Sequence, residues 1–359
     1  MDQSPSEKEV VRSNPANFKP KYLVLDDINI DLISILTAGS ALISTYVFPS
    51  LGYLSILVAA AIILPLRIFF PRSTTPQGLA LITGASSGIG AELSYILAEK
   101  GHDLVLVGRN QEQLDAVKEN IEKKYRKNAR TIAIDLSVPG TAKQLYDQTR
   151  NEGLTVDILV NGAGLGGAGE TLEQPFELAE RMTILNCVAL VQLTQLYGKD
   201  MIGRGRGWIL QISSVGGWMV SPGQNIYHAT KHYVRAFSEA LSIELRGYPG
   251  VVNCQLMPGP THTQFVTRAH AEETFMMAAS GAMEDPKAVA SAGYKGLCRG
   301  KRMVFSSWNA AATALMMHLA PRSVHLTIAS LMNSPLRGMV RMKEPEADQK
   351  ARGSQLRGS

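Results

Sequence analysis

From Leu79 onward, short apolar runs alternate with stretches of helical periodicity. The apolar runs are Leu79–Thr83, Asp103–Val107, Thr131–Leu136, Asp157–Asn161, Trp208–Ser213 and Val251–Met257. Each is too short for a helix and too continuously apolar for a strand with one wet face, so each predicts a strand buried on both sides. Between them, Ile89–Lys100, Gln111–Tyr125, 176–201 and 225–246 carry apolar residues at three- and four-residue intervals and predict helices. Strictly alternating strands and helices imply an α/β, Rossmann-type doubly wound parallel sheet with helices on both faces. In such sheets ligands sit at the carboxyl ends of the strands.

The front of the chain has a different pattern. Residues 1–28 form a polar leader containing Pro5, Pro15 and Pro20. Between 29 and 70, Leu32–Val47 is almost free of charge, and Leu51–Phe70 carries only Arg67. About 20 apolar residues suffice to cross a bilayer, so 29–70 predicts a membrane anchor of one or two hydrophobic helices. A hairpin would turn at Pro49-Ser50. Lys19 and Lys21 before it, and Arg67 and Arg72 after it, suit two cytosolic flanks. The segment 71–78, PRSTTPQG, reads as a linker into the 78–305 domain.

Composition adds little to this picture. Charged residues are 19% of the 359, below the usual quarter, consistent with an embedded segment. The net charge of +5 is scattered, whereas nucleic-acid binding calls for a concentrated basic face. Cys187, Cys254 and Cys298 are odd in number and far apart, which predicts free thiols and no metal site.

The turn after the first run reads TGASSGIG (83–90). Gly84, Gly88 and Gly90 would let a pyrophosphate approach the backbone, where a helix N-terminus offers unpaired N–H groups. The same residues satisfy the G-x-S-x-G of a hydrolase nucleophile elbow at Ser86. That elbow follows several strands of its sheet, however, and has no use for Gly90. Further along stand NGAG (161–164), Ser214, YHATK (227–231) and PGPTHT (258–263). Tyr227 and Lys231 are four apart on one helix face. A free phenol has a pKa near 10, and an adjacent ammonium would lower it toward acid–base use at neutral pH.

In order and spacing these motifs resemble the short-chain dehydrogenase/reductase family over roughly 78–305. The layout is similar to its membrane-anchored branch of hydroxysteroid dehydrogenases and 3-ketoacyl-CoA reductases. The resemblance implies a catalytic set of Asn186, Ser214, Tyr227 and Lys231, with Asn186 positioning a relay water and Lys231 also holding the ribose. Ser213 would point the other way by strand alternation. The resemblance further implies cofactor contacts from Thr83, Gly84, Ser86, Ser87, Gly88, Ile89, Gly90, Asp135, Asn161, Tyr227, Pro258, Gly259 and Thr263. Gly162 departs from the family's usual second asparagine, which predicts weakened local hydrogen bonding there.

The second strand runs out as LVGRN: Gly108 leaves room, and Arg109 offers a planar cation suited to a phosphate, so NADP(H) is the expected cofactor. The function expected is interconversion of a ketone and a secondary alcohol on a lipophilic steroid, fatty acyl, retinoid or terpenoid/polyketide substrate. The alternative is a non-catalytic, membrane-anchored nucleotide sensor or scaffold. A membrane location is implied, the endoplasmic reticulum first, with the catalytic domain facing the cytosol as a homodimer or homotetramer. Segment 262–284, with Phe265, Phe275, Met276, Met277 and Met283, occupies the place of the family's substrate lid. Residues 306–342 read as an apolar helical extension broken at Pro321, and 343–359 as a disordered tail.

Overall fold

The computed structural model describes residues 74–263 and 283–333. The expected anchor, most of the 262–284 segment and the 343–359 tail lie outside the described residues. Among the described residues, no helix is long and apolar enough to cross a membrane.

Seven strands form one sheet: β1 (Leu79–Thr83), β2 (Leu104–Gly108), β3 (Ala129–Ala133), β4 (Val156–Asn161), β5 (Gly207–Ile212), β6 (Val251–Met257) and β7 (Met303–Phe305). Their order is β3-β2-β1-β4-β5-β6-β7 and every pairing is parallel. The strand order reverses between β1 and β4, which opens a crevice at their carboxyl ends.

The helices are α1 (Gly88–Glu99), α2 (Gln111–Tyr125), α3 (Thr141–Asn151), α4 (Phe176–Thr183), α5 (Leu190–Arg204), α6 (Asn225–Glu244), α7 (Pro286–Cys298), α8 (Trp308–Leu319) and α9 (Arg322–Asn333). Strand alternation splits the core into two layers. On one face Ala80 and Ile82 of β1 meet Leu93 and Leu97 of α1, Leu114 and Ile121 of α2, and Val289 of α7. On the other, Leu81 meets Leu145 of α3 and Leu193, Tyr197 and Met201 of α5. With both faces covered, most strand positions are apolar, and buried polar ones such as Asn161, Gln211 and Asn253 are hydrogen-bonded to each other across the sheet.

Three boundaries differ from the sequence expectation. β3 starts two residues earlier, because pairing from Leu104↔Ala129 to Gly108↔Ala133 sets its extent and Asp135 then turns to bond Ser137. The short edge strand β7 adds to β6. Three residues are too few to show a period. The helix expected over 176–201 is interrupted by a π-helical stretch at Ile184–Ala189 that contains Asn186.

The break at Pro321 is present. Ala320 leaves the helical region at ψ 135°, as the residue before a proline must, and separates α8 from α9. Cys187 and Cys254 are buried free thiols, and Cys298 is half-buried.

Candidate active site

The glycine turn closes on itself. Gly84 and Gly88 have φ of +71° and +58°, which a side chain would strain. A Cβ on Gly90 would come 2.2 Å from the Gly84 carbonyl, so only hydrogen fits where α1 leaves the turn. The N-terminus of α1 therefore faces the crevice bare-backboned. Ser87 caps it in extended conformation without a side-chain bond.

Around this turn lies a cavity of about 640 Å³. The expected residues Gly84, Ser86, Ser87, Gly88, Ile89 and Gly90 line one end. Arg109 and Asp135 line the same cavity, as do Pro258, Gly259 and Thr263. Arg109 and Arg181 converge on the Asp135 carboxylate at 3.8 and 3.4 Å. Burial alone would raise that carboxyl. The hydroxyl and amide of Ser137, then the two guanidinium groups, outweigh it and hold the group below its usual range. A Cβ on Gly108 would approach Ser86 Oγ at 3.4 Å, so the floor beside Arg109 is kept low. The donor set fits a phosphorylated dinucleotide: backbone N–H groups at a helix start, a cation at the end of β2, and a carboxylate one strand further on.

The other end of the cavity holds Ser214, Tyr227 and Lys231. Ser214 follows β5, and its side chain accepts from Gly216 N at 3.0 Å, which fixes its rotamer. Tyr227 and Lys231 project from α6, with the ammonium 5.7 Å from the phenol ring centroid. Lys231 Nζ donates to the Ile212 carbonyl at 3.0 Å. Ser213 also lines the cavity, and its hydroxyl donates to the Lys231 carbonyl, which ties β5 to α6.

Burial pushes the Tyr227 phenol up to about 12, and its hydrogen bond with Ser214 pulls the other way. Burial brings the Lys231 ammonium down to about 8. The lowered phenol anticipated from the spacing is therefore not what the protein by itself produces: desolvation dominates both groups. The chemical consequence is a protonated phenol beside a cation, a state suited to giving a proton to a carbonyl oxygen.

Asn186 does not line the cavity. Its amide donates to the Leu165 carbonyl and to Thr230 Oγ1 at 2.9 and 3.0 Å, and its Oδ1 accepts from Leu165 N at 2.9 Å. The π-helical turn presents this side chain sideways, and it pins the loop after β4 to α6. Thr83 and Asn161 also serve the scaffold. Thr83 Oγ1 accepts from both Gly162 N and Ala163 N and donates to the Val160 carbonyl. The Gly162 backbone N–H is thus bonded even without an asparagine side chain at this position. Asn161 is buried, and its amide bonds Thr194 and Gln211. These bonds stitch β1, β4 and β5 together just beneath the crevice.

The sequence reading missed the contribution of α8, whose Asn309, Ala310 and Thr313 form a wall of the cavity. The available signal was Ser307, directly after a strand. Its hydroxyl accepts from Ala310 N as an N-cap and also bonds Glu284. Among the described residues, no group of three or more His, Cys, Asp or Glu side chains could hold a metal.

The chain is 34% identical over 219 residues to a very-long-chain 3-oxoacyl-CoA reductase of Pyrenophora tritici-repentis (strain Pt-1C-BFP), a match covering 59% of this chain and 63% of that protein. It is 34% identical over 196 residues to dehydrogenase/reductase SDR family member 7 of Mus musculus, covering 54% and 58%. It thus spans less than two thirds of the length of these curated relatives. Among solved structures, a short-chain dehydrogenase from Sphingobium yanoikuyae in complex with NADPH superposes with a TM-score of 0.60 at 28% identity, covering 68% of this chain and 98% of that one. A bulky-bulky ketone specific alcohol dehydrogenase from Comamonas testosteroni gives 0.57 at 26%, covering 69% and 97%. The pattern of the short chain dehydrogenase family matches residues 78–274, more than half the sequence, and the sheet order and the Ser214–Tyr227–Lys231 cluster agree with it: the chain belongs to that family.

Proposed function

We propose that the protein is a membrane-anchored, NADP(H)-dependent oxidoreductase. It interconverts a ketone and a secondary alcohol on a lipophilic substrate of steroid, fatty acyl, retinoid or terpenoid/polyketide type. The observation that carries this reading is a single cavity with a glycine-lined helix start at one end and Ser214, Tyr227 and Lys231 at the other.

The amides of the Gly84–Gly90 turn and the α1 N-terminus would hold the pyrophosphate, and Arg109 the additional phosphate that distinguishes NADP. Bound there, the nicotinamide supplies or accepts the hydride. The remaining work falls to this chain's own side chains. Ser214, its rotamer set by Gly216 N, donates a hydrogen bond to the substrate oxygen and orients it. Tyr227 gives its phenolic proton to that oxygen during reduction and takes it back during oxidation. Lys231 stabilises the resulting phenolate by its charge. Leu165, Met219 and Ala310 give the cavity apolar wall surface suited to a lipophilic substrate.

Support for NADP over NAD comes from Gly108 and Arg109 standing where an acid would hold two ribose hydroxyls. The NADPH complex of the Sphingobium relative points the same way. Support for a lipophilic ketone comes from the named activity of the oxoacyl-CoA reductases and the bulky-ketone alcohol dehydrogenase among the similar proteins. The apolar 29–70 segment supports the anchor. The oxoacyl-CoA substrate named for those relatives favours the endoplasmic reticulum with a cytosolic catalytic domain. A homodimer or homotetramer is the family's habit.

The test is NADPH oxidation by the full chain across a panel of lipophilic ketones. Turnover is expected, with loss of roughly 10²–10⁴-fold in Tyr227→Phe, the size of a general-acid contribution. NADPH affinity should stay unchanged. A protein that binds NADPH tightly yet turns over no ketone or alcohol would instead be a sensor or scaffold.

A further inference from the structure

We infer that Gln224 selects the substrate: its side-chain amide donates a hydrogen bond to a second carbonyl oxygen lying a few bonds from the ketone that reacts. This rests on the proposed ketone–alcohol reaction and narrows its substrate. A ketone with another carbonyl nearby, as in an oxoacyl or polyketide chain, is favoured over a steroid or retinoid ketone flanked by hydrocarbon.

The backbone of Gln224 is fixed on both sides. Its N–H donates to the Ser221 carbonyl at 3.2 Å, and its carbonyl accepts from His228 N at 3.0 Å, opening α6. The preceding Gly223 carbonyl accepts from Gly169 N at 2.8 Å, which ties this turn to the loop after β4. Gln224 is the N-cap of α6, yet its side chain makes no capping bond. Ser, Thr, Asp and Asn are the residues that cap helices well. The helix start therefore does not account for a glutamine here.

The side chain is 7% exposed and lines the cavity. It has no hydrogen-bond partner among the described residues. Buried amides are almost always paired. The amide of Gln255 is sealed in the core, whereas that of Gln224 borders open volume that a ligand can fill. Tyr227 lies three residues further on, and side chains at that spacing are neighbours, with about 5–6 Å between Cβ atoms. An amide and a phenol held that close grip two oxygens of one substrate only when those oxygens are near each other. Leu165 and Met219 add apolar wall to the same cavity. A few placed polar groups in an apolar cavity are what set orientation and specificity.

The test compares two substrates on the full chain with NADPH: a long-chain β-ketoacyl thioester, and the plain ketone of equal length with methylene in place of the second carbonyl. Gln224→Met keeps the side-chain length and removes the amide. It should lower kcat/KM for the thioester about tenfold, the scale of one hydrogen bond, and leave the plain ketone within about twofold of wild type. Gln224→Glu, which accepts but does not donate, should lose as much on the thioester. The NADPH dissociation constant should stay unchanged in both variants. Equal losses on the two ketones, or no loss on either, would overturn the inference, as would wild-type thioester turnover in Gln224→Glu. The thioester is also titrated calorimetrically onto the NADP+-loaded chain, where no hydride can be delivered. Binding about tenfold weaker in Gln224→Met is expected there, and equal binding counts against Gln224. Absence of turnover in wild type would sink the proposed reaction, while this titration still decides the role of Gln224.

Discussion

Lys231 decides the pH behaviour of the site. Its ammonium titrates near 8, pulled down by burial, while the Tyr227 phenol stays protonated to about 12. Reduction requires a protonated phenol and a charged amine together. Below pH 8 both are present; above it the amine neutralises first and the developing phenolate loses its counter-charge. The logarithm of kcat for ketone reduction should therefore be flat through neutrality and bend downward near pH 8. A profile flat to pH 10 would contradict the role given to Lys231.

His228, the neighbour of Tyr227, acts on stability. Burial pulls it down to about 4, against an ordinary value near 6.5, and its Nδ1 meets the Met219 carbonyl at 3.2 Å. Between these values the unfolded chain binds a proton that the folded one refuses, so stability must fall as pH drops from about 6.5 toward 4. Urea midpoints over that range should decline in the wild type and less steeply in His228→Gln. At the cofactor end, Arg109→Ala should weaken NADPH binding at least about tenfold, or about 1.4 kcal/mol, with NADH little affected.

At the level of elements, the loop after β5 is held from both sides. Trp218 lies under the Arg235 guanidinium at 4.0 Å and against His318 of α8 at 5.2 Å. Val220 N donates to Nε2 of the buried His325 on α9 at 3.1 Å. The C-terminal helices thus buttress the segment that begins at Ser214. His325→Leu leaves the Val220 N–H without an acceptor, a loss of about 1–3 kcal/mol. It should also lower kcat while the NADPH dissociation constant stays unchanged, measurable by kinetics and nucleotide titration side by side. Asn186→Ala removes two bonds to Leu165 in the loop after β4 and one to Thr230 of α6, and should cost stability by a similar amount.

This is also the scale at which sequence reading was least complete. Asn186 was legible as a site residue by motif. Its bonds to Leu165 and Thr230 depend on a π-helical turn, which leaves no trace in apolar spacing. Thr83 and Asn161 read as cofactor contacts because they sit inside the motifs, and their bonds between strand ends depend on pairings that the sequence does not show. The wall made by α8 was unreadable for a simpler reason: an apolar helix has no sequence mark telling which neighbour its small residues will meet.

For the whole molecule, the cofactor cleft exists only because β1 and β4, 77 residues apart in their facing threonine–carbonyl bond, lie side by side in the sheet. A ligand bound across that junction links the two halves of the fold. NADPH at about 100 times its dissociation constant should add about 2.7 kcal/mol, or roughly 5–10 °C in Tm for a domain of this size. The same concentration of NADH should add clearly less, and equal shifts would remove the case for a phosphate-binding Arg109.

The amino-acid sequence alone determined the alternating architecture, the glycine turn and the Ser214, Tyr227, Lys231 constellation. Those features are local: a buried strand must be apolar throughout, a closed turn must lack side chains, and an i, i+4 pair must share a helix face. Only the tertiary structure decided which motif residues reach the cavity, which way the phenol and amine titrate, and that α8 turns its large apolar side chains outward. Each of those depends on desolvation and on contacts between segments far apart in the chain, quantities that spacing along one strand of residues does not contain.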